Sequence, residues 1–119
     1  MPHITIEHSA DLANKWKIAA LFDAIERAYS DSAIIVPQNI KMRAISCDHF
    51  RVAGGAAPFA HITITMMEGP TETEKQALSD KIFNAACDAL APIRHVTLDI
   101  RDMDPVTYRK RTADWAPAL

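Results

Sequence analysis

The apolar and polar residues of this chain alternate over four short stretches, which predicts four β-strands. Residues 3–8 and 59–67 alternate isoleucine with threonine or histidine, and both are rich in the β-branched residues that strands favour. Successive side chains of a strand point to opposite faces, so each stretch would bury one face. The predicted strands are 3–8, 40–47, 59–67 and 95–101.

Two longer segments repeat their apolar residues with the period of a helix. The first is predicted to run from about 12 to 29, with Asp11 suited to its positive N-terminal end. The second is predicted from about 72 to 91, where Pro92 would end it, and Thr71 to Glu74 match a capping box. The predicted buried faces are Ala13, Trp16, Ala20, Ala24, Ile25 and Ala28, with Phe22 off register, and then Ala77, Leu78, Ile82, Phe83, Ala85, Ala86 and Leu90.

The connecting segments are read from their turn-forming residues. Residues 34–37 are predicted to form a short extended or 3₁₀ piece that ends at a proline. The glycine-rich stretch 48–58 is predicted to be a turn or hairpin. Residues 104–108 are predicted to form a short helical turn capped by Asp104, and the tail 109–119 receives no assignment.

The two halves of the chain repeat one another. His3-Ile4-Thr5-Ile6 recurs as His61-Ile62-Thr63-Ile64, and residues 21–29 resemble 82–90 in the same order. We therefore predict a single domain over 1–119, with repeat halves of about 2–57 and 58–104. Each half would form a right-handed β-α-β unit with parallel strands. The predicted fold is α/β (α+β), a four-stranded sheet with two helices on one face.

The alternation also predicts how the chain associates. The strands place Ile4, Ile6, Ile62, Ile64 and Met66 on one side of the small sheet. The alternation thus leaves one face of the sheet apolar and without cover, and a chain of this size covers such a face most simply by oligomerising.

Composition and charge exclude several classes of function. The net charge is −2, which gives no electrostatic case for nucleic acid, and no apolar run reaches the length of a membrane span. The N-terminus lacks the basic and apolar regions of a signal peptide. Cys47 and Cys87 have no metal or redox spacing, so we expect free thiols and a cytoplasmic protein.

Pro2 is the first candidate for chemistry. Methionine in front of a small residue is normally trimmed, and an N-terminal proline is then a secondary amine that can act as a base. A strand that starts at residue 2 would carry that amine into the sheet. The alternative is that Met-Pro is simply a common start, and a retained Met1 would leave the nitrogen an amide without basicity.

The ordered set of residues resembles a known family. The Met-Pro-His start and the duplicated β-α-β pattern resemble the tautomerase superfamily. Within it, the chain length, residues 40–43, Asp48, Phe50 and residues 59–63 resemble the 5-carboxymethyl-2-hydroxymuconate isomerase family. The resemblance implies that Pro2 is the catalytic base and that the molecule is a homotrimer with helices outside and sheets inside.

The resemblance also implies a substrate site. Members of the family usually present two arginines two residues apart on the second strand, and here the pair is Lys41 and Arg43. Residues two apart share a face of a strand, so both cations can converge on one carboxylate, although lysine offers a point charge rather than a fork. Phe50 and Phe59 are expected to supply an apolar wall. No phosphate loop or zinc-ligand set appears, so we predict no cofactor and no metal.

The histidines are weaker candidates. His3 and His61 are equivalent in the repeat, and backbone-satisfied, partly buried histidines are the favoured interpretation over a positioning role near Pro2. His8, His49 and His95 are predicted to lie on the surface.

The predicted function is an isomerase of unsaturated 2-hydroxy di- or tricarboxylic acids in aromatic-acid degradation. Its partners would be a small carboxylate substrate and two further copies of the chain, with no nucleic acid and no membrane. Two alternatives stay open: another proline-dependent reaction, such as hydration or dehalogenation of a small unsaturated acid, and a non-catalytic trimer that binds a small acid.

Overall fold

The four predicted strands and two predicted helices are all present in a computed structural model, which describes residues 2–12, 15–32, 40–55, 58–91 and 93–111. Strand β3 has the predicted bounds, and the other elements differ by one to three residues at their ends. The elements in chain order are β1 (His3–Ser9), a 3₁₀ turn (Ala10–Leu12), α1 (Lys15–Asp31), β2 (Lys41–Cys47), β3 (Phe59–Met67), α2 (Glu72–Ala89) and β4 (His95–Met103).

The strands form one mixed sheet in the order β2-β1-β3-β4. Within each half the strands are parallel, β1 with β2 and β3 with β4. The halves meet through the antiparallel pair β1–β3. The two β-α-β units predicted from the repeat are therefore confirmed, and β2 and β4 are the edge strands.

The hydrophobic core lies between the sheet and the two helices. Even-numbered residues of β1 and β3 point into it, and α1 and α2 pack against each other above them. The core side chains with no exposed surface include Ile4, Ile6, Ile62 and Ile64 from the sheet, and Leu21, Ile25, Tyr29 and Ile82 from the helices.

The sheet face that was predicted to be apolar and uncovered is covered by the two helices, so that prediction is wrong. Ile4, Ile6, Ile62, Ile64 and Met66 are all buried beneath the helices. The apolar stripe of each helix has to leave water, and this sheet face is the complementary surface. The uncovered face carries the odd-numbered residues of β1 and β3 and is mainly polar; we call it the open face of the sheet.

The first helix differs from the prediction in its start and its buried stripe. Residues 10–12 form a 3₁₀ turn, and α1 begins at Lys15 rather than near residue 12. Its buried side chains are Leu21, Ile25, Ala28 and Tyr29, spaced by three or four residues. The predicted Ala13 and the side chain of Trp16 lie outside the described part of the chain.

The second helix follows its prediction closely. Thr71 is the N-cap: its Oγ1 accepts from the Glu74 amide at 3.1 Å, and the Glu74 carboxylate accepts from the Thr71 amide at 2.8 Å. The predicted capping box is therefore confirmed. Leu78, Ile82, Ala86 and Leu90 form the buried stripe, whereas the predicted Ala77 is exposed.

The connecting segments agree with the prediction where they are described. Gly54 and Gly55 have φ of 91° and 78°, which glycine adopts readily and which accounts for the turn inside 48–58. Asp104 opens the turn after β4: its Oδ1 accepts from the Val106 amide at 2.9 Å. The piece predicted at 34–37 lies outside the described residues.

Candidate active site

Pro2 lies at the entry to β1, one of the two central strands. Its side chain is less than 2% exposed, and its carbonyl oxygen accepts a hydrogen bond from the Lys41 amide at 3.1 Å. This bond extends the hydrogen-bond ladder between β1 and β2 by one residue, to Pro2. The backbone of Pro2 is therefore held by the sheet and is not part of a loose tail.

Two cations stand beside the start of β1 on the open face. Lys41 pairs with His3 and Arg43 pairs with Thr5 in the β1–β2 register. Both cations are exposed, while the intervening Met42 packs against the core, so the expected sharing of one face is observed. Among the described residues, neither Lys41 nor Arg43 forms an ion pair.

His3 connects Arg43 to the last turn of the described chain. Its Nδ1 lies 3.4 Å from Nη1 of Arg43, and its Nε2 lies 3.2 Å from the hydroxyl of Tyr108. The His3 and Tyr108 rings meet edge to face, with centroids 6.2 Å apart. Burial, followed by the charges of Arg43 and Lys41, lowers the pKa of His3 below 6.5, because each disfavours the imidazolium.

The structure changes the interpretation of His3 and brings in Tyr108. We expected a histidine satisfied by backbone, whereas the ring is held by two side chains. Tyr108 was not predicted as a site residue. The sequence feature that could have indicated Tyr108 is the Asp104-Pro105 pair after β4, because a turn at that point directs the following residues back over the sheet.

Of the other histidines, the exposed and buried ones are not all those that were predicted. His49 and His95 are exposed as expected. His8 is 3% exposed, so its assignment to the surface is wrong. It follows Ile4 and Ile6 on the core face of β1, and its Nδ1–H donates to the Ser9 carbonyl at 2.8 Å. His61 lies on the open face, with Nδ1 2.6 Å from Oγ1 of Thr97.

Phe50 and Phe59 lie at the opposite end of the sheet from Pro2. Their ring centroids are 5.6 Å apart, and with Val52 and His95 they line a cavity of about 270 Å³. The Phe59 amide donates to Oγ of Ser9, the last residue of β1. At about 3.3 Å per strand residue, Ser9 lies roughly 23 Å from Pro2. One chain therefore brings Lys41 and Arg43 to Pro2, but not the two phenylalanines.

Within the described ranges, no three His, Cys, Asp or Glu side chains are grouped so that they could hold a metal ion. None of the described helices is both long and apolar enough to cross a membrane. Cys47 and Cys87 are free and partly buried.

The fold is shared with several solved structures. One is a 5-carboxymethyl-2-hydroxymuconate delta-isomerase, at 20% identity and a TM-score of 0.83, covering 97% of this chain and 90% of that one. Another is a 5-carboxymethyl-2-hydroxymuconate isomerase from Deinococcus radiodurans R1, at 21% identity and a TM-score of 0.80, covering 97% and 92%. A symmetric trimer of wild-type fused 4-OT matches at 19% identity and a TM-score of 0.70, covering 85% of each chain.

The sequence itself identifies the family. Residues 2–113 match the family model for 5-carboxymethyl-2-hydroxymuconate isomerase, and the chain belongs to this family. No functionally curated protein matches the sequence significantly. The resemblance to this isomerase family, found from the Pro2 start and the duplicated halves, is therefore confirmed.

Proposed function

We propose that the protein is a cofactor-free isomerase that ketonises unsaturated 2-hydroxy di- or tricarboxylic acids, with Pro2 as the proton carrier. Removal of Met1 would free the amine. The observation that carries the proposal is the buried Pro2, fixed to β2 beside Lys41 and Arg43. The proposed substrates are acids similar to 5-carboxymethyl-2-hydroxymuconate, which is an intermediate in the degradation of aromatic acids.

The reaction needs one group that both takes and gives a proton. A 2-hydroxydienoate loses its hydroxyl proton and gains a proton at carbon. A carrier works best when its pKa lies near the working pH. A free α-amine starts at about 7.7–8.0, and burial with nearby cations lowers that value. The lowered pKa of neighbouring His3 has the same causes.

The cations would bind the substrate and stabilise the charge that develops on it. Arg43 and Lys41 are on one face beside Pro2 and are not paired with carboxylates of the described chain. They can hold a carboxylate of the substrate and offset the negative charge of the dienolate. A dianionic acid would therefore be preferred over a neutral or monoanionic one.

We propose that the active protein is a homotrimer in which neighbouring copies complete the site. Phe50 and Phe59 are roughly 23 Å along the sheet from Pro2. They can form an apolar wall at Pro2 only if they come from another subunit. The edge strands β2 and β4 and the exposed Ile45 on the open face offer surface for this contact. The similar fused 4-OT is a symmetric trimer.

The deciding experiment compares Met-cleaved and Met-retained protein, separated by intact mass. Ketonisation of 2-hydroxymuconate is followed by ultraviolet absorbance. The cleaved form should be active and the retained form inactive, because an amide nitrogen has no basicity, while both forms should fold and associate alike. Pro2→Ala in the cleaved form keeps a primary amine and should retain part of the activity.

The same comparison tests the other functions. Equal rates from the two forms would remove Pro2 from the mechanism. Binding of the acid without turnover by either form would favour the non-catalytic trimer. Release of halide from a haloacrylate by the cleaved form alone, with no ketonisation, would favour the proline-dependent dehalogenation.

A further inference from the structure

The two hydrogen-bond partners of His3 favour one position for its proton. A guanidinium group has only donors, so Nδ1 of His3 has to be the acceptor from Arg43. Burial and the two neighbouring cations favour the neutral ring, whose single proton is then on Nε2. The Nε2–H consequently donates to the hydroxyl oxygen of Tyr108 at 3.2 Å.

This arrangement leaves the hydroxyl hydrogen of Tyr108 available as a donor. A phenol has one hydrogen to give as well as an acceptor oxygen, and the acceptor side is used by His3. Among the described residues, the hydroxyl group of Tyr108 has no other hydrogen-bond partner than His3. With the acceptor side of the oxygen used by His3, its hydrogen remains to be donated to another group.

The turn after β4 holds Tyr108 over the Pro2 end of the sheet. The Tyr108 amide donates to the Asp104 carbonyl at 3.0 Å, and the Arg109 guanidinium donates to the carbonyls of Val106 and Tyr108 at 2.8 and 3.0 Å. The phenol is half-buried and is therefore held by the fold as well as by His3.

We propose that Tyr108 is a substrate-binding residue whose hydroxyl donates a hydrogen bond to a dicarboxylate held by Lys41 and Arg43. Three donors lie next to His3 on the open face: Lys41, Arg43 and Tyr108. Because two of the three are cations, the ligand they suit is a dicarboxylate. The inference rests on the proposed function for the identity of the substrate, but it concerns binding and not proton transfer.

The test uses cis,cis-muconate, a dicarboxylate without the 2-hydroxyl group, so that binding is measured without ketonisation. Calorimetric titration of the Met-cleaved protein should show binding, and Tyr108→Phe should weaken it about 10- to 100-fold, the range expected for one hydrogen bond to a charged group. Tyr29→Phe is the matched control. It removes the same hydroxyl from the core, where it lies 3.9 Å from Sδ of Met66, and should bind muconate like the wild type.

A double-mutant cycle separates a direct contact from a general effect on the fold. His3→Leu removes the group that orients the phenol, so Tyr108→Phe should cost less in that background than in the wild type. Unchanged muconate binding by Tyr108→Phe would overturn the proposal, as would equal weakening by Tyr29→Phe, full additivity with His3→Leu, or no binding by the wild type.

The outcome is independent of Pro2. If the Met-cleaved and Met-retained forms ketonise equally, the proposed function fails. Weakening of muconate binding by Tyr108→Phe would still support the role of Tyr108. The two failures are therefore distinguishable.

Discussion

Arg43 and Asp99 occupy equivalent positions in the two halves of the sheet and carry opposite charges. Arg43 pairs with Thr5 between β1 and β2, and Asp99 pairs with Thr63 between β3 and β4. Thr5 and Thr63 are themselves equivalent in the repeat. The duplicated fold therefore presents a cation in its first half and an anion in its second.

The difference extends along the edge strands. Thr97 stands in the second half where Lys41 stands in the first, next to the equivalent histidines. Asp99 accepts from the Arg101 side chain at 2.8 Å, so its charge is already paired. The duplication supplies two similar frameworks, and at these two edge-strand positions the first half carries two cations where the second half carries Thr97 and a paired carboxylate.

Arg43→Ala should reduce kcat/KM for 2-hydroxymuconate by about 10- to 100-fold, because a charge-assisted hydrogen bond contributes roughly 1.5–3 kcal/mol. The free energy of unfolding should change little, since Arg43 is exposed. Lys41→Ala should act in the same direction but less. Steady-state kinetics and urea unfolding measure the two effects.

Arg27→Ala is the control for that loss, because Arg27 is an exposed cation on α1, away from the open face. It should keep wild-type kinetics. Wild-type kcat/KM in both the Arg43 and Lys41 variants would show that the anion site has been assigned to the wrong residues.

His3 should titrate below its ordinary pKa of 6.5. The unfolded chain then takes up this proton more readily than the folded one. The contribution of His3 to stability is fully present above pH 6.5 and is lost as the pH falls through the lower, folded-state pKa. NMR titration of the imidazole measures that pKa.

Arg43→Gln should raise the pKa of His3, but only part of the way to 6.5, because burial is the largest cause of the shift and remains. Arg27→Gln should leave it unchanged. A His3 that titrates at 6.5 or above in the wild type would contradict the environment described for it.

The protein should be a homotrimer, and Ile45→Asp should weaken the assembly. Ile45 is 48% exposed on edge strand β2, and a buried, unpaired carboxylate at a subunit contact is costly. Light scattering at micromolar concentration should give three times the chain mass for the wild type and a smaller mass for the variant.

Ala77→Asp provides the comparison, because Ala77 is exposed on α2, on the helical side of the sheet. That variant should remain trimeric. A monomeric wild type would contradict the predicted assembly and the idea that Phe50 and Phe59 serve a neighbouring Pro2.

Thr71→Ala should lower the free energy of unfolding by about 1 kcal/mol, since it removes the N-cap acceptor of α2. Activity should persist, because Thr71 is not in the proposed site. Urea denaturation provides the measurement, with exposed Thr73→Ala in the same helix turn as control. An equal loss in both variants would mean that the capping box adds nothing.

The sequence by itself determined the elements and the division of each strand into an apolar and a polar face. The alternation over 59–67 predicted β3 with its observed bounds, and the Thr71–Glu74 spacing predicted the cap of α2. Both the strand and the helix cap depend on residues that are close together in the sequence, and the local backbone geometry determines how their side chains are placed. The repeat of His3 to Ile6 at His61 to Ile64 was enough to predict two β-α-β units.

Only the tertiary structure decided which groups meet. His3 and Tyr108 are 105 residues apart, and their contact depends on the path of the turn after β4 across the sheet. The burial of His8 and the side of the sheet covered by the helices were likewise set by packing. Local periodicity predicts that a strand has two faces, but the free energy of burying all the apolar stripes together selects which face becomes the core.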